Sequence, residues 1–224
     1  MIYALADLHL DYTKEKSMEI FGENWENYEE RIFHNWQKII KPSDTVLVSG
    51  DISWAMKEDK AYYDLTRIDK LNGKKIMIKG NHDYWWQSLN KINNLDLSNI
   101  DFLQNNSYEV EGFSICGTRG WMSENKNFDS HDEKIFKREV LRLKNSFNKA
   151  KNDKKIVMLH YPPFDYDGKF NEFFEVAKQN NVKYLIYGHL HGSGHRYIKE
   201  GKFDGIEVKC VSGDYVDFIP QRII

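Results

Sequence analysis

Two stretches decide the fold: Thr45-Val46-Leu47-Val48-Ser49-Gly50-Asp51 and Lys75-Ile76-Met77-Ile78-Lys79-Gly80-Asn81-His82-Asp83. Each is a short apolar run that stops at a glycine and then turns polar. A continuous apolar run of about four to six residues is the pattern of a strand buried on both faces. The same pattern recurs in IYALA (2–6), FSICG (113–117), KIVML (155–159) and KYLIY (183–187).

Helical patterns lie between these runs. Over 25–40, Trp25, Tyr28, Ile32, Trp36 and Ile39/Ile40 recur at spacings of three and four and draw one apolar stripe. Ala61, Leu65, Ile68 and Leu71 do so over 59–71, and Ile135/Phe136, Val140, Leu143 and Phe147 over 132–150. A shorter helix is expected over 171–179, with Phe173, Phe174 and Ala177 inward. Strands alternating with helices predict a layered α/β fold. The tail departs from this. Residues 196–199, 206–211 and 215–219 read as strands with short turns between them, so antiparallel hairpins and a mixed sheet are expected.

Composition bounds the class. The chain has 224 residues, a length that one α/β domain commonly reaches, so a single domain over 1–224 is expected. Its 32 Lys+Arg against 34 Asp+Glu leave −2, which gives no overall field to draw it onto nucleic acid or an acidic membrane. Cys116 and Cys210 are too few for a disulfide scaffold or a Cys-rich zinc site, and both read as small buried hydrophobes. No apolar run is long enough to span a bilayer, and MIYALADLHL lacks the features of a signal peptide. A cytoplasmic protein without membrane association is the expectation.

The informative residues stand where the strands end: Asp7-Leu8-His9, Gly50-Asp51, Gly80-Asn81-His82-Asp83, His160, and Gly188-His189-Leu190-His191. Open α/β folds place their ligands at this carboxyl edge. Each motif alone has an ordinary reading as a cap, a turn or a satisfied histidine, and Gly-Asn-His-Asp also reads as a turn with a left-handed Asn. Together they form an oxygen and nitrogen set without a thiolate, which suits manganese, iron, zinc or a similar ion without choosing among them. On an extended segment residues i and i+2 share a side, so Asp7 and His9 are expected to face one cavity, as are His189 and His191. Asp51, as a bridging carboxylate, would let the set hold two ions.

Taken in order, the five blocks resemble the calcineurin-like metallophosphoesterase superfamily over residues 7–191. The resemblance implies two mixed β-sheets packed as a sandwich with helices on both outer faces. It also implies that Asp7, His9, Asp51 and His191 hold one divalent ion, and that Asp51, Asn81, His160 and His189 hold the other. His82 is similar to the family's non-ligand histidine, with Asp83 as its partner. The implied reaction is hydrolysis of a phosphomonoester or phosphodiester by a metal-bound hydroxide. His82 would serve as acid or electrostatic donor to the leaving oxygen, and Asp83 would orient it.

Further residues are candidates for substrate contact. Asn81 is placed at both metal and substrate, and Arg119 could fork onto a phosphate or form an ordinary ion pair. Trp54, Tyr84, Trp85, Trp86, Trp121 and Tyr161 could stack on a flat group or pack as satellite core. Segments 10–24 and 161–171 read as lids or as ordinary loops. His195 is a weaker ligand candidate. His34, His131 and the Lys151–Lys155 run read as surface. The rival readings are a nuclease of the same superfamily, a dizinc hydrolase of metallo-β-lactamase type, and a metal-free scaffold. Nucleic acid is the less favoured partner but stays open, as do the substrate and the oligomeric state.

Overall fold

In the computed structural model, which describes residues 1–16, 18–125 and 127–224, two sheets lie face to face. The first runs β11-β1-β2-β3-β4, built from Ile2–Leu5 (β1), Thr45–Val48 (β2), Lys74–Met77 (β3), Ile100–Phe102 (β4) and Gln221–Arg222 (β11). The second runs β5-β6-β7-β8-β10-β9, from Tyr108–Val110 (β5), Phe113–Thr118 (β6), Lys155–Leu159 (β7), Val182–Tyr187 (β8), Gly201–Phe203 (β9) and Ile206–Cys210 (β10). Both are mixed. β1 to β4 are parallel with β11 antiparallel, and β6, β7, β8 and β10 are parallel with β5 and β9 antiparallel.

Alternation along the strands explains the layers. Ile2, Ala4, Leu47 and Ile76 point between the sheets and meet Ile115, Ile156, Met158 and Ile186. Leu5, Val46, Val48 and Met77 point the other way, beneath Tyr28–Ile39 (α1) and Glu58–Asp69 (α2). Ser130–Phe147 (α4) and Glu172–Lys178 (α5) cover the outer face of the second sheet through Val140, Leu143, Phe173 and Phe174. A one-turn helix, Leu89–Ile92 (α3), completes the set.

The main differences from the sequence reading are local. Trp25 keeps its place on the buried stripe but sits in a 3-10 turn, because Asn27 takes a left-handed φ of 48° and α1 starts only at Tyr28. Residues 196–199 close a 3-10 turn over Gly192–Tyr197 and are not a strand. Residues 215–219 are a turn as well: Asp217 and Phe218 have φ of 57° and 55°, and the Phe218 N–H donates to the Gly213 carbonyl. The tail therefore forms one hairpin, β9–β10, while β10 runs parallel to β8. The lid reading of 10–24 includes Ser17, which lies outside the described residues.

Candidate metal centre

The ends of β1, β2, β3, β7 and β8 meet because glycines let their backbones touch. A Cβ on Gly80 would lie 2.2 Å from the Asp51 nitrogen, and one on Gly188 would lie 2.7 Å from both the Ala6 Cβ and an Asp7 carboxylate oxygen. The Asp7 N–H donates to the Gly50 carbonyl, the His9 N–H to the Asp51 carbonyl and the Gly188 N–H to the His160 carbonyl. These hydrogen bonds join neighbouring strand ends within each sheet, and the Gly188 approach to Ala6 and Asp7 brings the two sheets together at one edge.

The backbone there is not extended. Asp7, His9, Asp51 and His189 have φ of 58°, 44°, 51° and 74°. Asp7 and His9 thus reach a common cavity through left-handed kinks and not through strand alternation, and Asn81 is not left-handed. Left-handed non-glycine residues cost on the order of 1–2 kcal/mol each and gather at functional sites.

The side chains converge. The nearest ring nitrogen of His191, Nε2, lies 3.6 Å from Asp7 Oδ1. Asp51 Oδ2 lies 3.6 Å from His9 Nε2 and 3.4 Å from His160 Nε2. Asp7, His9 and His191 bring ligand atoms within 4.8 Å of one another, and so do Asp7, Asp51 and His160. Asn81 Oδ1 is 2.6 Å from His160 Nε2. The His189 ring sits 5.1 Å from that of His160, and its backbone N–H donates to Asp7.

This set fits metal ions. Both ring nitrogens of His9 and the Nε2 of His191 are buried without a hydrogen-bond partner, a state that costs roughly 1–3 kcal/mol per group if nothing fills it. His160 Nδ1 donates to the Ser49 carbonyl at 3.0 Å, which leaves Nε2 and Asn81 Oδ1 presenting lone pairs to each other. A shared cation satisfies both. The acids point to the same shortage of positive charge. Burial, with Asp83 and Asp7 beside it, pushes the Asp51 carboxyl well above its usual range. Burial acts the same way on Asp7, but the His191, His160 and His9 imidazoles outweigh it and hold that carboxyl far below. Burial lowers His160 to about 4 and His189 to about 3. It also holds His9 well below its usual value, with His191 adding to the effect.

His191 goes the other way. Burial lowers it, yet Asp7 and Asp214 carry it up to about 10. Asp214, which the sequence reading missed, has its carboxylate 2.8 Å from His191 Nδ1 and accepts from the Gly192 N–H. The other Asp214 oxygen is 3.1 Å from His195 Nε2, so His195 faces this acid and not the ligand atoms. The only sequence signal was an acid after the Ser212-Gly213 turn.

Three expectations change. Asp83 does not pair with the His82 ring: its buried carboxylate accepts from the Gly80, Ile52 and Ser53 N–H groups and from Trp85 Nε1. It is a buried brace for the Gly-Asn-His-Asp turn. Arg119 has its guanidinium 3.7 Å from Glu139 and over the Trp121 ring, so its charge is matched on α4 and not at the metal ligands. Among the aromatics, Trp85 and Trp86 are core. Trp54 stacks on His9 at 4.8 Å, and Tyr161 packs on His189 at 4.2 Å. His82 lies between Trp54 and Tyr84, its backbone N–H donating to Asp51 Oδ1 and its titration lowered by burial, then by His191. His34 and His131 are exposed. Both thiols are buried, which pushes Cys116 up to about 11 and Cys210 to about 12.

A basic groove does exist. Lys154, Lys183, Lys202, Lys209 and Arg222 line it with Glu207. Lys154 and Lys183 stand at the starts of β7 and β8, the sheet end away from His160 and His189, so the groove does not serve the nuclease reading. Among the described residues no helix is long and apolar enough to cross a membrane.

No curated protein matches the chain. Two of the solved structures that share its fold are as follows. A protein of unknown function from Aquifex aeolicus is 20% identical, with a TM-score of 0.53 over 99% of this chain and 94% of that one. A phosphopantetheinyl hydrolase from Mycobacterium tuberculosis is 14% identical, with a TM-score of 0.59 over 99% and 95%. The family model for calcineurin-like phosphoesterase matches residues 1–193, which sets aside the metallo-β-lactamase alternative. The chain belongs to the calcineurin-like phosphoesterase family and is a metal-dependent hydrolase.

Proposed function

We propose that the chain is a dinuclear-metal phosphohydrolase that cleaves a phosphomonoester or phosphodiester. The observation that supports this most is the Asp51 carboxylate, whose Oδ2 stands 3.6 Å from His9 and 3.4 Å from His160, between two groups of donors. One ion would be held by Asp7, His9, Asp51 and His191, the other by Asp51, Asn81, His160 and His189. Manganese, iron, zinc or a similar ion suits these donors.

Such ions, when bound, supply Lewis acidity toward phosphoryl oxygens and a nucleophile near neutral pH. The protein's own groups do the rest. Ser49 and Asp214 fix the tautomer and aim of His160 and His191 through their Nδ1 atoms. His82, anchored on Asp51 through its backbone, would give a proton to the leaving ester oxygen. Asn81 would steady the phosphoryl group as well as an ion, and Asp83 would hold the turn that carries both. The solved structure titled a phosphopantetheinyl hydrolase makes a phosphoester of an organic alcohol a reasonable substrate class.

The test strips the protein with a chelator and reloads it with Mn²⁺, Fe²⁺, Zn²⁺, Ni²⁺ or Mg²⁺. p-Nitrophenyl phosphate and bis(p-nitrophenyl) phosphate are then assayed. Turnover only after reloading is expected; no turnover with any ion would overturn the reading.

A further inference from the structure

A cleft of about 180 Å³ opens beside the metal centre, and His189 belongs to both. Its lining includes Tyr161, Phe164, Tyr166, Leu190 and Tyr197, together with Ser123 and Asp165. Three of these are tyrosines. The Tyr161 ring lies 4.2 Å from the His189 ring, and Tyr166 meets Tyr197 edge to face at 5.2 Å.

Part of the polar surface of the lining is already engaged. Asp165 accepts from the Asp167 and Lys169 N–H groups, and the Ser123 hydroxyl accepts from Asn171. The Tyr197 hydroxyl accepts from Arg196, whose guanidinium lies 4.7 Å over the same ring. What the cleft mainly offers a guest is the ring faces of three tyrosines and Phe164 and the aliphatic surface of Leu190. An apolar cavity of about 150 Å³ holds a benzene ring, so this one admits a group of that size.

The wall is held in place. Phe164 and Phe170 form a bridge across segment 161–171, and the Asp165 N–H donates to the Lys169 carbonyl at 2.9 Å. Lys199 clamps the turn from outside, 4.2 Å over the Phe170 ring and bonded to the Gly168 carbonyl. These contacts brace the segment as a wall of the cleft.

We propose that this cleft binds the uncharged, ring-sized organic group of the phosphoester, so that aryl and similarly bulky apolar esters are the favoured substrates. The inference rests on the phosphohydrolase reading and on the cleft's continuity with His189. Burial of a ring against apolar walls is worth roughly tenfold or more in affinity.

The experiment uses two diesters with one leaving group, phenyl p-nitrophenyl phosphate and methyl p-nitrophenyl phosphate, on Mn²⁺-loaded protein. The phenyl ester should show a kcat/KM about tenfold higher or more. The ratio should fall below about threefold in Tyr166→Ala/Tyr197→Ala; Tyr166 is 67% exposed, which makes the single Tyr166→Ala variant a safe intermediate. Calorimetric binding of phenylphosphonate against methylphosphonate needs no turnover and should follow the same order. Equal kcat/KM for both esters in the native protein overturns the cleft assignment. So does a preference that survives the double variant. A stronger preference for thymidine 5′-(p-nitrophenyl) phosphate than for the phenyl ester would make the cleft a base reader and contradict its apolar character. If neither diester turns over while p-nitrophenyl phosphate does, the protein is a monoesterase and the phosphonate pair decides the cleft; if no ester turns over with any ion, the hydrolase reading fails.

Discussion

His160 and His191 stand beyond the ends of two strands of the same sheet, each in a candidate metal-binding group, yet their surroundings drive them in opposite directions. His160 is fully buried and its Nδ1 meets a backbone carbonyl, so it titrates near 4. His191 is partly buried, but Asp7 and Asp214 flank it and lift it to about 10. The lesson is that burial alone does not set a ligand's state; the charge of the group that orients it does. At neutral pH, His160 stands ready for a cation, whereas His191 must release a proton first, so loading on the His191 side should strengthen as pH rises.

The largest effect should come from removing the group common to both sides. Asp51→Asn is expected to cost most of the metal on both sides and nearly all turnover while the fold survives, as read by metal analysis and circular dichroism. Loss on one side only would break the symmetry assigned to Asp51. His82→Ala should keep both ions and lower kcat by about 10²–10⁴. The loss should shrink for p-nitrophenyl esters, whose leaving group barely needs a proton; loss of metal would make His82 a ligand.

Asp214→Asn sharpens the comparison directly. It should weaken metal binding on the His191 side by about 10–100-fold and flatten the pH dependence of loading, while the His160 side stays filled. Equal weakening of both sides would mean that Asp214 acts through general stability. Arg119→Ala should act on the fold and not the chemistry. Glu139 is fully buried and accepts from Thr118 and Arg142 as well as facing Arg119. The variant should lower the melting temperature and leave KM within about threefold; a selective rise in KM would restore a substrate contact.

The smallest effect contrasts the site with a buried acid away from it. Burial carries the Asp64 carboxyl up to about 6, against the Ser53 hydroxyl at 2.7 Å. A raised carboxyl favours the folded state while it stays protonated. Its contribution is full below about pH 4 and lost as pH rises through about 6. Asp64→Asn should remove that pH-dependent part of the unfolding curve, by on the order of 1–3 kcal/mol.

Sequence and structure agree where the physics is local. The long apolar runs became β1, β2, β3, β6, β7 and β8, and the ionisable residues at their ends converge because Gly80 and Gly188 allow close approach. Legibility ended where contacts are distant or the elements are short. Asp214 reaches His191 across 23 residues. β4, β5 and β11 span two or three residues each, below any periodic signal. The left-handed kinks at Asp7 and His9 leave only a weak residue-type signal, since Asp and His enter that region more readily than most residues yet seldom do so, and the apolar look of 215–219 reflects Phe218 folding back onto Trp25.

The central claim is that Asp51 joins two metal sites of different character. A crystal structure of the protein soaked in Mn²⁺, with anomalous scattering recorded, tests it most directly. Two peaks per chain should flank the Asp51 carboxylate, one against His9 and His191, the other against His160, His189 and Asn81. A single peak, or two peaks joined through Asp7 with Asp51 unbound, would contradict it.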